Sequence, residues 1–255
     1  MRNIWNIAKK EIKTYFTSPI AYVVIAVFIA IWGFFFTAII LWFNNYGMQA
    51  AQDPYASQQM NINQMVYQPL FQNIAIFFLL MLPLLTMRLF AEERKTGTEE
   101  LLFTSPISPG QIIIGKFTSS LLVLLTMLLL TSVSVFFTFL FGNPEPLPIL
   151  IGYLGLFLMG AAFLSIGIFF SSLTENQVVA AVPTFGALLF LYIVNWMSSF
   201  VSGFWKSVVD YISFFGHFGN LTQGILDTTD LVYYFSIIFL GLFLTHSVIQ
   251  SRRWR

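Results

Sequence analysis

The sequence contains no cysteine and very little charge. Without cysteine, the chain can form neither a disulfide framework nor a thiolate metal site. Only 9% of its 255 residues are charged, while 57% are hydrophobic and 30 are phenylalanine. An ordinary soluble domain has roughly 25% charged residues and too little interior to hide so many apolar side chains, whereas lipid-facing helices can expose them. These shortages exclude a soluble globule and predict an integral membrane protein.

Ionisable residues are almost absent from the long apolar runs, with Arg88, Lys116 and His246 lying only at their ends. A proton- or sodium-coupled carrier normally needs a buried carboxylate in a span. Such carriers often also contain two related halves with interrupted helices, and the sequence has no convincing internal repeat. A secondary transporter is therefore the weaker alternative. A core with so little charge favours an amphiphilic or hydrophobic cargo, or none.

Catalytic and metal-binding patterns are also missing. The two histidines, His217 and His246, are expected on opposite sides of the membrane, which disfavours a metal site between them. Gly110–Phe117 reads G-Q-I-I-I-G-K-F, close to the nucleotide-binding pattern G-x-x-x-x-G-K-[ST], but phenylalanine replaces the hydroxyl that Mg²⁺ requires. We therefore expect a chain that is not an enzyme and hydrolyses no ATP itself. The outer aspartates, expected to cap or orient helices, are Asp210, Asp227 and Asp230.

Six apolar runs are long enough to cross a bilayer, which takes about 20 helical residues. They predict a single all-α membrane domain over residues 1–255. The first run is too long for the hydrophobic region of a cleaved signal peptide, so we expect it to be retained. Small residues between Gly152 and Gly167 would let another helix approach closely, and we expect them to pack within the subunit. The predicted spans are Ile20–Phe43, Leu70–Met87, Thr118–Phe141, Ile149–Leu173, Val178–Asn195 and Leu231–Ile249.

The lysines and arginines predict the orientation, since basic residues are retained on the cytoplasmic side. With six spans and a cytoplasmic N-terminus, eleven of the twelve basic residues lie inside and only Lys206 lies outside. An odd number of spans would break this partition. The charge pattern therefore supports six spans independently of hydropathy, with both termini cytoplasmic.

Residues 1–17 alternate apolar and charged side chains at roughly helical spacing. This pattern is typical of an amphipathic helix in the inner interface, with its apolar face in the lipid and its lysines toward anionic headgroups. Ser18-Pro19 is expected to turn the chain into the first span. The alternative is a basic flank that only fixes topology. The residues expected at the membrane interface are Trp5, Lys9, Lys10 and Lys13.

Two outer segments differ in composition. Residues 44–65 are polar and contain no catalytic or metal-binding pattern. Residues 196–230 are crowded with aromatic rings but are too broken by glycine and charge to span. We expect short helices there that re-enter the bilayer or lie on the outer leaflet, as an aromatic anchor or as a lid over a substrate exit. The rings expected to anchor them are Phe200, Phe204, Trp205, Tyr211, Phe214, Phe215 and Phe218.

The predicted cytoplasmic loop, residues 88–117, holds four of the eleven acidic and four of the twelve basic residues. Its pattern predicts a short charged helix, a break at Thr96-Gly97-Thr98, and a second helix start capped by Thr98-Glu99-Glu100. Ser105-Pro106 is expected to end this second helix, and Ser108-Pro109-Gly110 to turn the chain. On this pattern alone, the loop is either a rigid docking element or a solvated loop that only fixes topology.

The same loop resembles the first cytoplasmic loop of ABC-2 type permeases. A subgroup resemblance, to the gliding-motility-associated branch, rests on His217-Phe218, Gly224–Asp227 and Asp230. The resemblance to the whole family rests on Glu92–Leu102, Thr104–Ser108 and Gly115-Lys116, and is extended by Lys10-Glu11 and Ser171–Gln177 with Ala180 and Ala181 behind it.

This resemblance implies the permease subunit of an ABC exporter in a bacterial cytoplasmic (inner) membrane. In this family the loop after the second span forms a coupling helix that docks on a separate ATPase subunit, and two permease chains, identical or different, face two ATPases. ATP and Mg²⁺ would be bound by the ATPase and no cofactor by this chain, whose other partner would be membrane lipid and not nucleic acid. A subunit that transmits force without moving a substrate is an alternative. The docking residues would be Glu92, Glu93, Arg94, Lys95, Thr96, Gly97, Thr98, Glu99, Glu100, Leu101 and Leu102.

Overall fold

The computed structural model describes residues 2–51, 60–99, 107–197, 200 and 202–253. Their regular structure is entirely helical, which confirms the predicted all-α class. A short π-helical turn, Asn63–Tyr67, runs directly into the third α-helix. The α-helices are α1 Arg2–Thr17, α2 Pro19–Ala50, α3 Gln68–Thr86, α4 Arg88–Lys95, α5 Pro109–Phe141, α6 Pro146–Leu173, α7 Gln177–Met197, α8 Phe204–Ile212, α9 Phe214–Thr222 and α10 Thr228–Arg253.

Six helical segments of the described chain are long and apolar enough to cross a membrane. Each of the six predicted spans falls inside one of them, which confirms the predicted number. The segments are Pro19–Ala50, Asn63–Lys95, Pro109–Phe141, Pro146–Leu173, Gln177–Met197 and Thr228–Arg252.

The third span was predicted too short at its beginning. Helix α5 begins at Pro109 rather than at Thr118, because Ser108 caps it and accepts a hydrogen bond from the Gln111 backbone N–H. Proline suits the first helical position, where its missing N–H leaves no bond unmade. The loop predicted over residues 88–117 is therefore shorter, and Gly110–Phe117 belongs to a helix and not to a phosphate-binding loop.

The predicted turn at Ser18-Pro19 is confirmed. Helix α1 ends at Thr17, Ser18 takes an extended conformation, and its side chain accepts a hydrogen bond from the Ile20 backbone N–H. Pro19 then opens α2. The chain therefore enters the first span through a capped break.

Helices α3 and α6 form the centre of the bundle. In the most apolar 18-residue stretch of each membrane-crossing segment, 72% of the residues are buried in the segments that contain α3 and α6, against 17% in α2 and in α7. Glycines in α6 allow this closeness: a Cβ atom at Gly152 would overlap the ring of Phe71, and one at Gly167 would overlap Thr86. The small residues of the fourth span therefore pack against neighbouring helices of the same chain, as predicted.

Helix α2 is buried more deeply in its first half than in its second. Apart from Ala50, its buried side chains all precede Gly33, and the last of them is Trp32. The Trp32 indole N–H donates to the Ser134 hydroxyl of α5 at 3.0 Å. Beyond this contact, the side chains up to Gln49 are exposed or half-exposed. The second half of α2 therefore packs on the core mainly through half-buried side chains, among them Phe35, Phe36 and Ile39.

The aromatic segment between the last two spans contains α8 and α9. On α8, Phe204 and Trp205 are exposed, as predicted for anchoring rings. On α9, Phe214 and Phe218 are instead buried in the core, which corrects their predicted place at the interface. These two rings are four residues apart and so share one helix face, which α9 packs against α6.

Candidate functional site

One end of the bundle brings together α1, α4, the start of α5, the α6–α7 turn and the last turn of α10. We call it the basic end, because these segments hold every described lysine and arginine except Lys206. Ion pairs and backbone contacts join the segments there.

Lys116 is the centre of the first cluster and is only 1% exposed. Its ammonium nitrogen lies 2.9 Å from Glu11 Oε1 and 2.8 Å from Glu93 Oε2. It also donates to the Leu89 carbonyl at 2.6 Å. Lys10 approaches Glu93 Oε1 at 3.3 Å, so two ammonium groups balance two carboxylates. The cluster is neutral overall, which is what allows these charges to be buried.

This cluster joins three helices, since Glu11 belongs to α1, Glu93 to α4 and Lys116 to α5. Gly115 allows α1 to approach α5, because a Cβ atom at this position would lie 2.8 Å from Ile7 Cβ. A second link runs through Tyr15, whose hydroxyl donates to the Leu85 carbonyl at 2.7 Å. Burial raises the pKa of the Tyr15 phenol, so this side chain stays a neutral donor. Helix α1 is therefore packed on the protein through its buried face.

Ser171 of α6 holds the junction between α3 and α4. Its hydroxyl accepts hydrogen bonds from the backbone N–H groups of Phe90 (3.1 Å) and Ala91 (3.3 Å), and donates to the Met87 carbonyl at 2.9 Å. In an unbroken helix those groups would bond to carbonyls four residues earlier. One side chain thus satisfies backbone groups freed by the break and attaches α4 to the central helix.

Arg94 connects α4 to the α6–α7 turn. Its guanidinium lies 3.1 Å from the Glu175 carboxylate and 3.2 Å from that of Glu99. Burial raises the pKa of Glu99 even though Arg94 lies beside it. Arg252 at the end of α10 donates to the Leu173 carbonyl at 3.2 Å. Arg94 thereby ties α4 to the α6–α7 turn, and Arg252 ties α10 to the end of α6.

The break predicted at Thr96-Gly97-Thr98 is confirmed. Helix α4 ends at Lys95, and Gly97 has a left-handed φ of 71°, which favours glycine. The Thr98 backbone N–H donates to the Glu93 carbonyl at 3.0 Å, and the Thr96 hydroxyl to the Glu92 carbonyl at 2.9 Å. The chain leaves α4 through a bonded turn rather than through an irregular loop.

A family model described as ABC-2 family transporter protein matches residues 5–249. The chain belongs to the ABC-2 transporter family. With its six candidate membrane-crossing helices, it is a multi-pass transmembrane permease of that family. No curated protein matches the chain.

The expected docking residues of this ABC-2 permease divide into two sets. Lys95, Thr96, Gly97 and Thr98 are exposed, whereas Glu92, Glu93, Arg94 and Glu99 are half-buried. Of the second set, Glu93 and Arg94 are bound within the chain, to Lys116 and Glu175. The residues Glu100, Leu101 and Leu102 lie outside the described part of the chain.

The expected interface residues of the permease are all on the outside of α1. Trp5, Lys9, Lys10 and Lys13 are exposed. Lys10 in addition approaches Glu93 of α4. The positions are compatible with contact to lipid headgroups, and Lys10 also serves the ion-pair cluster.

Several residues that join the segments of the basic end of the permease were not predicted from the sequence. Glu11 lies on the same face of α1 as the buried Ile7, Ala8 and Tyr15, and this helical spacing could have predicted that it is buried. Lys116 interrupts an apolar run, which is another signal of a buried charge. The other residues that the pattern did not single out for this role are Ser171, Glu175 and Arg252.

The opposite end of the permease contains a buried contact between a histidine and an aspartate. His217 Nδ1 of α9 lies 2.6 Å from Asp230 Oδ1 at the start of α10, and Asn220 donates to Asp230 Oδ2 at 3.1 Å. His217 Nε2 lies 3.1 Å from the Tyr211 carbonyl. Asp230 thus orients α9 on the last span, as expected for an outer aspartate. The described residues contain no group of three metal-binding side chains.

Proposed function

We propose that this permease is the membrane subunit of an ABC exporter and that a separate ATPase docks on α4 and the turn after it. The observation that carries the proposal is the attachment of α4 on three sides, through Lys116, Ser171 and Arg94. A short helix that is fixed to its neighbours transmits a push as a rigid body, which a free loop does not do. The ATPase, and not this chain, would bind ATP and Mg²⁺.

The surface proposed for docking is the exposed turn after α4 together with a groove beside it. The groove has a volume of about 390 Å³ and is lined by Lys95 and by residues 175–178 of the α6–α7 turn. Glu93 and Arg94 would act from behind this surface, because their charges are already paired within the chain. The partner would therefore contact Lys95 and the 175–178 turn directly.

The proposed placement is in a bacterial inner membrane with the basic end and both termini cytoplasmic. The excess of basic residues at that end supports it. A second permease chain, identical or different, is proposed to cover the exposed helices, and membrane lipid to cover the rest. The sequence resemblance around His217-Phe218 and Asp230 supports a place in the gliding-motility-associated branch.

A binding experiment tests the docking surface. The full-length permease is co-purified with the ATPase encoded beside it, using the Lys95→Glu, Gln177→Glu double variant. We expect at least a tenfold weaker complex, because both changes place negative charge in the groove while leaving the buried ion pairs intact. Lys206→Glu, at the opposite end, is the matched control and should bind normally. Equal binding by the double variant and the control would show that the docking surface lies elsewhere.

Labelling tests the topology in this cysteine-free chain. Lys9→Cys and Lys206→Cys are both exposed positions, at opposite ends of the bundle. A membrane-impermeant maleimide added to intact cells should label only Lys206→Cys, and Lys9→Cys should react after permeabilisation. Labelling of both from one side would contradict the arrangement.

A force-transmitting subunit without cargo would use the same docking surface. ATPase binding therefore does not separate it from an exporter. Transport of a reconstituted substrate does separate the two functions.

A further inference from the structure

A groove of about 580 Å³ lies between α2 and the start of α3, at the end opposite to the basic end. One wall carries Gln64, Gln68 and Gln72, and the other carries Ile39 and Trp42. The groove opens along the second half of α2, whose side chains beyond Trp32 are mostly half-buried or exposed.

The three glutamines form a row on one helix face. They are spaced four residues apart, which puts successive side chains about 6 Å apart along the helix. Within the described residues, their carboxamides form no hydrogen bond to another protein group. Each carboxamide offers two N–H donors and one carbonyl acceptor. The row therefore presents several unused donors and acceptors to whatever occupies the groove.

The depth of the row in the membrane follows from helix geometry. Counting 1.5 Å per residue from Met87, Gln72 lies roughly 22 Å along the α-helix, and Gln64 lies further along, in the π-helical turn that precedes it. A hydrocarbon core is about 30 Å thick. With Met87, next to Arg88, taken as the inner boundary of the hydrocarbon, the row would start inside the hydrocarbon and end toward the headgroups. An unbonded amide is unfavourable in an apolar environment, so Gln72 requires a hydrogen-bonding partner.

The chemistry of the groove selects the kind of partner. No charged residue lines it, so nothing there recognises a phosphate or a carboxylate. Trp42 is 53% exposed and offers an aromatic surface beside the amides. A sugar ring has an apolar face that can pack on an indole. The hydroxyl groups around its edge can donate hydrogen bonds to amides and accept hydrogen bonds from them. A lipid chain attached to the ring would remain in the bilayer beside Ile39.

We propose that this groove binds the sugar headgroup of an uncharged glycolipid. Gln64 and Gln68 bind the hydroxyls, Gln72 binds the linkage region closer to the hydrocarbon, and Trp42 packs on the ring. The proposal deepens the proposed exporter function by naming a class of cargo, and it rests on that function only for the transport step. Binding itself needs no ATPase.

Native mass spectrometry of the full-length permease tests the binding. The protein is extracted in an amine-oxide detergent, because sugar detergents would occupy the groove, and is then placed in phosphatidylcholine nanodiscs. The probes are a diglucosyl diacylglycerol, the diacylglycerol with the same chains, phosphatidylglycerol and free maltose. We expect the glycolipid to be retained at least tenfold more tightly than each of the others.

The variant Gln64→Leu, Gln68→Leu, Gln72→Leu should reduce glycolipid retention to the level of diacylglycerol. Its fold should persist, because these side chains bond to no other described residue, and Trp42→Leu provides a second test with an expected loss of at least threefold. Gln223→Leu, an exposed glutamine elsewhere, is the matched control and should bind normally.

Several outcomes would overturn the proposal. Equal retention of glycolipid and diacylglycerol would mean that the groove holds only acyl chains, and a preference for phosphatidylglycerol would contradict the uncharged headgroup. Tight binding of maltose would assign the site to a free sugar. A change of oligomeric mass in the triple variant would show that the glutamines bind a second copy. If the glycolipid binds but no ATPase does, the exporter proposal fails and the site stands; the reverse result removes the site alone.

Discussion

Replacement of Lys116 by methionine tests whether the ion-pair cluster holds the basic end together. Methionine has a similar length and leaves little empty space, so the change removes mainly the charge. Glu93 keeps Lys10 at 3.3 Å, but Glu11 loses its only ion-pair partner among the described residues. Removing one member of a buried ion pair costs about 3–5 kcal/mol, because the remaining charge stays buried without compensation. We therefore expect Lys116→Met to lower the free energy of unfolding by about 3–5 kcal/mol.

The measurement is reversible unfolding by titration with sodium dodecyl sulfate in mixed micelles, followed by tryptophan fluorescence. Lys206→Met is the control for loss of an exposed lysine and should remain within about 0.5 kcal/mol of the unchanged protein. The double variant Lys116→Met, Glu11→Gln should recover at least half of the loss, because it removes the uncompensated carboxylate. A Lys116→Met variant as stable as Lys206→Met, or a double variant with no recovery, would refute the role of the cluster.

The same variant separates docking from transmission. Lys116 lies behind the proposed docking surface and does not line its groove. We expect Lys116→Met to bind the ATPase with unchanged affinity while the coupled ATPase stimulation falls. Loss of binding together with stimulation would mean that the cluster only keeps α4 folded.

Three further variants test other contacts by the same unfolding titration. Ser171→Ala should cost about 1–3 kcal/mol, because it leaves backbone groups at the α3–α4 junction unbonded. His217→Gln should cost about 1–3 kcal/mol, because it removes one hydrogen-bond partner of the buried Asp230 carboxylate, whereas His246→Gln should have little effect. Gly152→Val should cost about 1–3 kcal/mol or more, because its side chain would overlap with Phe71. If any of these variants is as stable as the unchanged protein, the contact that it removes or disturbs does not stabilise the fold.

The helices and their number could be predicted because two independent properties, apolar length and charge placement, agree along the whole chain. The bounds were less predictable. The apolar run of the third span begins after Lys116. Helix α5 begins earlier, at Pro109, because Ser108 supplies a cap that a hydropathy average does not detect. Helix ends depend on individual hydrogen bonds, and hydropathy averages over them.

The long-range contacts of the basic end could not be predicted from the sequence. The charged run at Glu92–Glu99 identified the segment, and Gly97 identified its break. The pairing of Lys116 with Glu11 joins residues that are 105 positions apart, and no local pattern contains that distance. The family resemblance implies that Glu93 and Arg94 contact a partner. Within the chain, their side chains also meet charges contributed by α5 and by the α6–α7 turn.

The two ends of the second span are built for different tasks. At the basic end, α4 is bonded to α1, α5 and α6, so a movement of α4 should be passed on to them. At the opposite end, the start of α3 faces α2 across an open groove, and the side chains of α2 beyond Trp32 are mostly half-buried or exposed. A displacement imposed on a rigid segment is taken up where the contacts are fewest. Movement of α4 should therefore appear as a change in the width of the glutamine-lined groove, which would connect ATP hydrolysis in a partner to the site where an amphiphile is held.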